Sequence, residues 1–223
     1  MNQIAVDFAL GGKDESALLY YDGLNLINRK EMKTLGDDVE VTNCAIDGWA
    51  RFLNHKKPRN KIYFSTMLHV FFPVSTSQHF FLLCVNHIED KIHIIDNRKL
   101  PKHVSVQAKY EEQQKMMLKG LAEYMKHLGY EDANRIEDYT VVLEKMKWRS
   151  NDDYTNCGVY IMKHMETFTV DPNERWICDL KPNNLRVEQI RKLRLQYTAE
   201  LMLFEENTES RANRRKARKF ATL

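Results

Sequence analysis

Apolar residues recur at intervals of three and four in several parts of the chain, the spacing of one face of an α-helix. The first predicted helix has Thr42 or Asn43 as its N-cap and carries Ile46, Trp49 or Ala50, and Leu53 at helical spacing. The other predicted helices span residues 104–128, residues 158–168, and a segment that begins near Leu185. Gly129 is suited to end the second of them.

β-branched and aromatic side chains are concentrated in the middle of the chain, where the pattern changes from helical to strand-like. Strands are predicted over residues 61–74, 79–85, 91–97 and 140–148, and the second and third of these form a hairpin. Strands that cluster between helices are typical of an α+β domain rather than a regular strand–helix alternation.

The chain has 223 residues, enough for one sizeable core, and no linker divides it into two balanced halves. We assign residues 1–206 to one domain and residues 207–223 to a basic tail. No apolar run approaches the length of a membrane helix and the first residues do not resemble a secretory signal, so we expect a soluble nuclear or cytoplasmic protein.

Six basic residues and no acidic ones fall within residues 211–219, which leaves 28 basic against 31 acidic residues elsewhere in a chain of net charge +3. Such a block is typical of a solvated tail or of a nuclear import signal. Because the chain lacks glycine-rich phosphate loops and interleaved aromatic residues, we do not expect sequence-specific nucleic-acid binding.

The four cysteines are far apart and have no metal-ligand spacing: Cys44, Cys84, Cys157 and Cys178. We therefore expect reduced thiols, no disulfide and no metal site. Cys157 differs from the others because Gly158 and a predicted helix follow it directly. Unpaired N–H groups and the helix dipole at a helix N-terminus favour a thiolate, which is one requirement of a nucleophile.

A thiol nucleophile also needs a base and a group that orients the base, and His79 and Asp96 are candidates for these roles. If the hairpin turns near His87 and Ile88, His79 and Asp96 lie directly opposite each other; if it turns at Glu89 and Asp90, they are four residues out of register. The structural alternative is that Asp96 caps a turn, His79 lies on the surface and Cys157 is an ordinary core residue.

The order of His79, Asp96 and then Cys-Gly at the start of a helix resembles the ubiquitin-like-protein-specific proteases, the SUMO-processing cysteine peptidases related to adenovirus protease. The segment MKHMETF is similar to plant and transposon-associated members. The resemblance implies a papain-like fold in which Cys157 attacks the carbonyl after a Gly-Gly tail, His79 acts as base and then acid, and Asp96 orients His79. It implies no cofactor.

The same resemblance implies further roles and reveals departures from the family. Asn151 takes the place of a glutamine oxyanion donor, with an alternative register in which Arg149 or Ser150 takes part. Asn156 takes the place of an aspartate, and Phe80 that of a tryptophan after the histidine. Val41 stands where SUMO proteases carry a tryptophan over the narrow tunnel for the Gly-Gly tail. We therefore expect Phe80 and Val41 to contact substrate, with less area covered by Val41.

Three hypotheses follow from the sequence. The first is an active isopeptidase on SUMO or a related ubiquitin-like modifier, working as a monomer. The second is a catalytically impaired, transposon-derived module of the same fold that binds a ubiquitin-like protein. The third is a protease with the same machinery that cleaves peptides after small residues. Retention of three polar triad residues favours activity, because a buried His and Asp are costly to keep without partners.

Overall fold

The computed structural model describes residues 2–23, 25–36, 39–56, 69–76, 79–127, 133–151, 153–170, 175–182 and 185–222. The helices are α1 (Asn2–Gly11), α2 (Arg29–Met32), α3 (Asn43–His55), α4 (Val106–His127), α5 (Cys157–Thr167), α6 (Leu185–Leu203) and α7 (Ser210–Phe220). The strands are β1 (Leu18–Tyr21), β2 (Leu26–Asn28), β3 (His69–Thr76), β4 (His79–Asn86), β5 (Lys91–Ile95) and β6 (Thr140–Leu143).

The main sheet has the strand order β3-β4-β5-β6. β4 is antiparallel to both of its neighbours, β3 and β5, whereas β6 joins β5 in parallel after the chain has passed through α4. A second, two-stranded sheet pairs β1 with β2. Helices before, between and after a mixed sheet confirm the predicted α+β class.

Strand β4 is the centre of the fold because all of its residues are buried. Its alternate side chains enter two hydrophobic clusters, since successive residues of a strand point to opposite faces. Phe80, Leu82 and Cys84 belong to the cluster that also contains residues of α3, α5 and α6. Phe81 and Leu83 belong to the cluster that contains residues of α4. Helices therefore cover the sheet on both faces.

The predicted helices and strands are present with shifted ends. The last long helix begins at Leu185 as predicted, and the predicted strand over residues 140–148 ends at Leu143. Residues 61–68 and Gly129 lie outside the described residues. The sequence predicted one hairpin, but β3 also pairs with β4 along its whole length, because only two residues separate the two strands.

The sequence suggested that the basic segment is an unpacked tail, but the structure shows a packed helix. Residues 210–220 form α7, in which Ser210, Asn213 and Ala217 are buried. The side chain of Asn213 donates a hydrogen bond to the carbonyl of Leu19 at 2.6 Å. Small and amide side chains at spacings of three and four thus allow a highly charged helix to pack on the body. Among the described residues, no helix has the length and apolarity to span a bilayer.

Candidate active site

Cys157 is the first residue of α5 and has no exposed surface. Its thiol donates a hydrogen bond to the carbonyl of Tyr154 at 3.6 Å. This bond links the sulfur to the backbone that precedes the helix. The sulfur lies on the side of α5 that packs on β4, within the cluster that contains Phe80. The predicted position of Cys157 at a helix N-terminus is confirmed.

The electrostatic environment of the sulfur differs from the simple expectation for a helix N-terminus. Burial raises the pKa of the Cys157 thiol, while the backbone N–H groups of Phe80 and Gly158 act in the opposite direction. The net effect of burial is the larger one, because removing water penalises a thiolate more than two N–H groups favour it. The thiol therefore needs a base to accept its proton before it can act as a nucleophile.

The imidazole and the carboxylate predicted to assist Cys157 are bonded to each other in the interior. His79 Nε2 lies 2.7 Å from Asp96 Oδ1, and both side chains are buried. In the β4–β5 hairpin Leu82 pairs with Ile95. The centre of the turn therefore lies between Ile88 and Glu89, midway between the two turns that the sequence analysis considered. His79 and Asp96 are thus diagonal neighbours on one face, a separation that an imidazole can span.

Asp96 is held by more donors than His79 alone, all of them close to the end of β5. The N–H of Arg98 (2.7 Å), Nζ of Lys109 (2.8 Å) and the hydroxyl of Tyr110 (2.6 Å) also donate to its two oxygens. Burial by itself raises the pKa of Asp96, but the bonds and charges of His79 and Lys109 outweigh it and hold the pKa well below the ordinary value. Asp96 is therefore a fixed carboxylate.

Lys109 and Tyr110 were missed by the sequence argument. They lie in the first turn and a half of α4, which packs on the face of the sheet opposite α5. A signal existed in the sequence, because a lysine next to a tyrosine near a helix start can reach the end of a neighbouring strand. Without the sheet order, however, nothing related this turn to Asp96.

The second imidazole nitrogen of His79 is the one that is free to accept a proton, since Asp96 occupies the first. When Nε2 donates its proton to Asp96, Nδ1 is the acceptor. Among the described residues, Nδ1 of His79 is buried and has no hydrogen-bond partner. The sulfur of Cys157 lies beside the N–H of Phe80, the residue that follows His79. The thiol, the imidazole and the carboxylate thus lie in one region, but among the described residues no hydrogen bond joins the Cys157 sulfur to His79, because the thiol donates to the Tyr154 carbonyl instead.

The predicted oxyanion donor lies on the surface of the same region. Asn151 is exposed, and its side-chain oxygen accepts a hydrogen bond from the N–H of Lys99 at 3.2 Å. This contact leaves the amide nitrogen of Asn151 as the group that can donate to a developing oxyanion. The role of Asn151 therefore stays a prediction.

The two residues predicted to contact substrate are both buried. Phe80 is 6% exposed and Val41 is 1% exposed. Val41 packs on the backbone of Gly158: a Cβ added to this glycine would lie 2.5 Å from Cβ of Val41. Val41 is thus next to the nucleophile, but it fills the space under the start of α5 and does not form an open lid. A tryptophan here would have to displace that helix.

Arg194 of α6 is a further residue that sequence reasoning missed. Its buried guanidinium donates to the side-chain oxygen of Asn156 at 2.9 Å and 2.6 Å and to the carbonyl of Thr155 at 3.0 Å. It also donates to the carbonyls of Thr34 and Gly36 at 2.8 Å and 2.6 Å. One side chain therefore ties the residues just before Cys157 to the segment that precedes α3. The substitution at Asn156 keeps an oxygen acceptor for it.

No group of three or more histidine, cysteine, aspartate or glutamate side chains is arranged to hold a metal ion within the described parts of the chain. The chemistry that the site can perform with its own residues is acyl transfer through a thiol, with a carboxylate-oriented imidazole as proton carrier.

Comparison with protein families gives one match over most of the chain. The model of the Ulp1 protease family, C-terminal catalytic domain, matches residues 25–203. This range contains His79, Asp96 and Cys157 and stops before α7. A search of curated protein sequences finds no significant match.

Solved structures with similar folds are SUMO proteases of low sequence identity. The Ulp1 protease domain in complex with Smt3, the yeast ortholog of SUMO, superposes with a TM-score of 0.64 at 12% identity, over 92% of this chain and 96% of that chain. SUMO protease Ulp1 with a sulfenic acid at its catalytic cysteine gives 0.63 at 12% identity, covering 92% and 95%. The Chaetomium thermophilum Ulp1-like catalytic domain gives 0.56 at 15%, covering 93% and 91%. These likenesses establish the papain-like α+β fold that the sequence predicted.

Proposed function

The chain belongs to the Ulp1 protease family of thiol-dependent peptidases, and from this premise we propose that it cleaves after the Gly-Gly tail of SUMO or a related ubiquitin-like modifier. Cys157 is the proposed nucleophile, His79 the general base and acid, and Asp96 the residue that orients His79. The Smt3 complex of the similar Ulp1 domain supports a modifier of the SUMO type as the partner.

The proposed reaction proceeds through a thioester. Nδ1 of His79 takes the proton of the Cys157 thiol as the sulfur attacks the carbonyl carbon of the terminal glycine. The C–N bond then breaks, and the same imidazole gives its proton to the departing amine. A water molecule, deprotonated by His79, attacks the thioester, and the sulfur leaves with the proton. The products are a free glycine carboxylate and the original enzyme.

The observation that carries the proposal is the buried bond from His79 Nε2 to Asp96 at 2.7 Å. It fixes the tautomer in which Nδ1 accepts a proton. His79 is the first residue of β4, and the next residue, Phe80, provides the N–H that lies near the Cys157 sulfur. Asp96 also stabilises the imidazolium that forms during attack, because the carboxylate stays charged with three further donors around it.

The oxyanion of the tetrahedral intermediate requires donors in the same region. We assign this role to the side-chain amide of Asn151 together with the backbone N–H at the start of α5, where the helix leaves its first N–H groups without intrahelical acceptors. Removing one such donor costs about 3 kcal/mol in acyl transfer. A poorly oriented Asn151 would therefore slow the reaction rather than stop it.

A binding module without turnover is the second candidate, and one observation favours it. The sulfur of Cys157 is completely buried and burial raises the pKa of its thiol. In this alternative the family fold still recognises a ubiquitin-like protein, but the nucleophile does not reach the carbonyl.

The test uses a SUMO whose C-terminal glycine carries a vinyl sulfone, with a ubiquitin vinyl sulfone as the comparison. An active enzyme forms a covalent adduct with the SUMO probe, detected as a mass shift on the peptide that contains Cys157. Cys157→Ser should abolish the adduct and Cys44→Ser should leave it unchanged. Binding of SUMO to the wild type without any adduct would support the binding module. If neither probe formed an adduct or bound to the protein, both candidate functions would be contradicted.

A further inference from the structure

Helix α7 presents a strongly basic face, and the one hydrogen bond that the structure gives a side chain of this face joins Arg214 to the carbonyl of Leu203 at 3.2 Å among the described residues. Six of its side chains are exposed cations: Arg211, Arg214, Arg215, Lys216, Arg218 and Lys219. They surround the buried stripe of Ser210, Asn213 and Ala217, by which the helix packs on the body. Within the described residues, none of these cations forms an ion pair with a carboxylate. The positive charge is thus directed to solvent.

This face is separate from the proposed active site. The family match ends at residue 203, so α7 lies outside the segment that defines the peptidase. Its main contacts are with α1, α6 and β1. Like charges on one helix repel each other, so a surface of this kind costs folding stability unless an anionic partner reduces the repulsion.

A small cleft lies at one edge of the basic face. It has a volume of about 250 Å³ and is lined by Ile4, Ala5, Leu203, Arg214, Ala217 and Arg218. Its floor is therefore aliphatic and comes from α1, α6 and α7, whereas two arginines contribute to its wall. A cavity of roughly 150 Å³ already accepts a benzene-sized group, so this cleft has room for one large apolar side chain.

We propose that the basic face of α7 and this cleft together form a docking surface for an acidic peptide segment that carries one large apolar residue. The cations pair with the acidic side chains, and the apolar residue enters the cleft between Arg214 and Arg218. The surface does not suit a membrane, because the apolar side of α7 already packs on the body and cannot insert into lipid. It suits a nucleic acid less well, because an aliphatic cleft offers nothing to phosphates and the face has no aromatic side chain for base stacking.

The experiment measures fluorescence anisotropy of labelled heptapeptides with the full chain. The first probe has leucine at its centre and acidic residues on both sides, and the second replaces the leucine with serine. We expect the leucine probe to bind at least about fivefold more tightly, because only it fills the cleft. Equal affinities of the two probes would overturn the proposal, as would tighter binding of a single-stranded oligonucleotide of the same net charge.

Protein variants locate the site. Arg214→Glu combined with Arg218→Glu should weaken binding of the leucine probe more than about tenfold, because it places two like charges at the cleft. The matched control is Lys119→Glu with Lys126→Glu, the same charge change at exposed positions of α4, which should change affinity less than about twofold. Thermal unfolding checks that both variants are folded. Equal losses in the two variants would mean attraction by net charge alone and would refute the docking surface.

Discussion

The same tripeptide, Thr-Asn-Cys, stands at the start of two helices, at residues 42–44 before α3 and at residues 155–157 before α5. Both cysteines lie in the first turn of their helix, and neither is paired in a disulfide among the described residues. If a helix N-terminus were sufficient to make a cysteine a nucleophile, the two sites would be equivalent. The structure makes them different.

Burial raises the thiol pKa of both cysteines, but the neighbour with the next largest effect differs between them. The Cys44 thiol donates to the carboxylate of Glu31 at 3.7 Å, and burial together with the Glu31 charge raises the pKa of Cys44. At Cys157 the next largest effect on the pKa comes from the N–H of Phe80, which lowers it and offsets part of the effect of burial, while the charge of Glu40 raises the pKa by less. A carboxylate opposes a thiolate, whereas N–H groups stabilise one.

The residues on either side of the cysteines differ in the same sense. Asn43 is exposed, whereas the Asn156 side chain is fixed by Arg194. Ala45 follows Cys44, but Gly158 follows Cys157 because Val41 occupies the space that a Cβ would need. The local sequence thus supplies a cysteine at a helix start twice, and the tertiary neighbours make only one of them a candidate catalytic residue.

The largest effect is expected from removing the two sulfurs in turn. Cys157→Ser should lower kcat for a Gly-Gly-ended substrate by about 10⁴-fold or more, because serine is a far weaker nucleophile in a site built for a thiol. Cys44→Ser should change kcat less than about twofold. Steady-state hydrolysis of a SUMO with a fluorogenic group on its terminal glycine measures both, and similar losses in both variants would remove the distinction between the two helix starts.

The next largest effect is expected at Asp96, whose hydrogen bond to His79 belongs to the site of Cys157 and not to that of Cys44. Asp96→Asn should lower kcat by on the order of 10³-fold, because an amide at this position no longer fixes the His79 tautomer or stabilises its imidazolium. KM should change little, since Asp96 is buried away from solvent. Measurement of kcat and KM separately checks this, and a variant that lost affinity with unchanged kcat would contradict an orienting role.

The same variant has a defined pH dependence of stability. The folded-state pKa of Asp96 lies below its ordinary value of 3.8, so its charge contributes fully to the free energy of unfolding above that value, and the contribution is lost as pH falls through the folded pKa. The difference between wild type and Asp96→Asn should be constant from neutral pH to about pH 5 and shrink below about pH 4. Urea unfolding across this range measures it, and a difference that grew on acidification would have the wrong sign.

A smaller effect is expected from the residue after each cysteine. Gly158→Ala should lower the free energy of unfolding by about 1–3 kcal/mol, because the new Cβ overlaps Val41. Combining it with Val41→Gly removes the overlapping atoms and should make the additional cost of Gly158→Ala negligible. Ala45→Gly in α3 should cost only about 0.5–1 kcal/mol, the usual effect of glycine in a helix. Urea unfolding of the wild type, Gly158→Ala, Val41→Gly and the double variant gives the coupling energy. Strict additivity of the two changes would mean that Val41 and Gly158 do not interact.

The smallest effect tests the electrostatic difference directly. Glu31→Gln should raise the rate at which iodoacetamide alkylates Cys44 by about two- to fivefold at neutral pH, since it removes a charge that raises the thiol pKa. Glutamine preserves the capping box that Glu31 forms with Asn28. Mass spectrometry of each cysteine-containing peptide over time follows both sites, and the rate at Cys157 serves as the control, which should not change.

The sequence was a good guide to the helices and to the identity of the candidate residues. Periodic apolar positions predicted α3, α4 and α6, because each of these helices buries one continuous stripe. The predictions were less accurate for short segments whose ends depend on pairing with residues far away in the chain. The end of the strand at Leu143 is an example, because it depends on parallel pairing with β5 and not on propensity.

The candidate site shows the same division. The chain order of His79, Asp96 and Cys157 and the helix start at Cys157 could be read from the sequence, because they depend on local patterns and family resemblance. The register of the hairpin could not, because hairpin turns of similar composition place Asp96 directly opposite His79, diagonal to it, or out of reach. Lys109, Tyr110 and Arg194 were invisible for the same reason, since each acts on an element far away in the chain.

The sequence by itself therefore determined the α+β class, the main helices, the family and the residues available for thiol chemistry, because periodicity and residue type are local properties. Tertiary structure alone decided which Thr-Asn-Cys start faces backbone N–H groups and which faces Glu31, how Asp96 is held, and that the basic segment is a packed helix. These outcomes depend on which surfaces the sheet and helices bring within a few ångströms, and contacts of that range carry most of the electrostatic and packing energy.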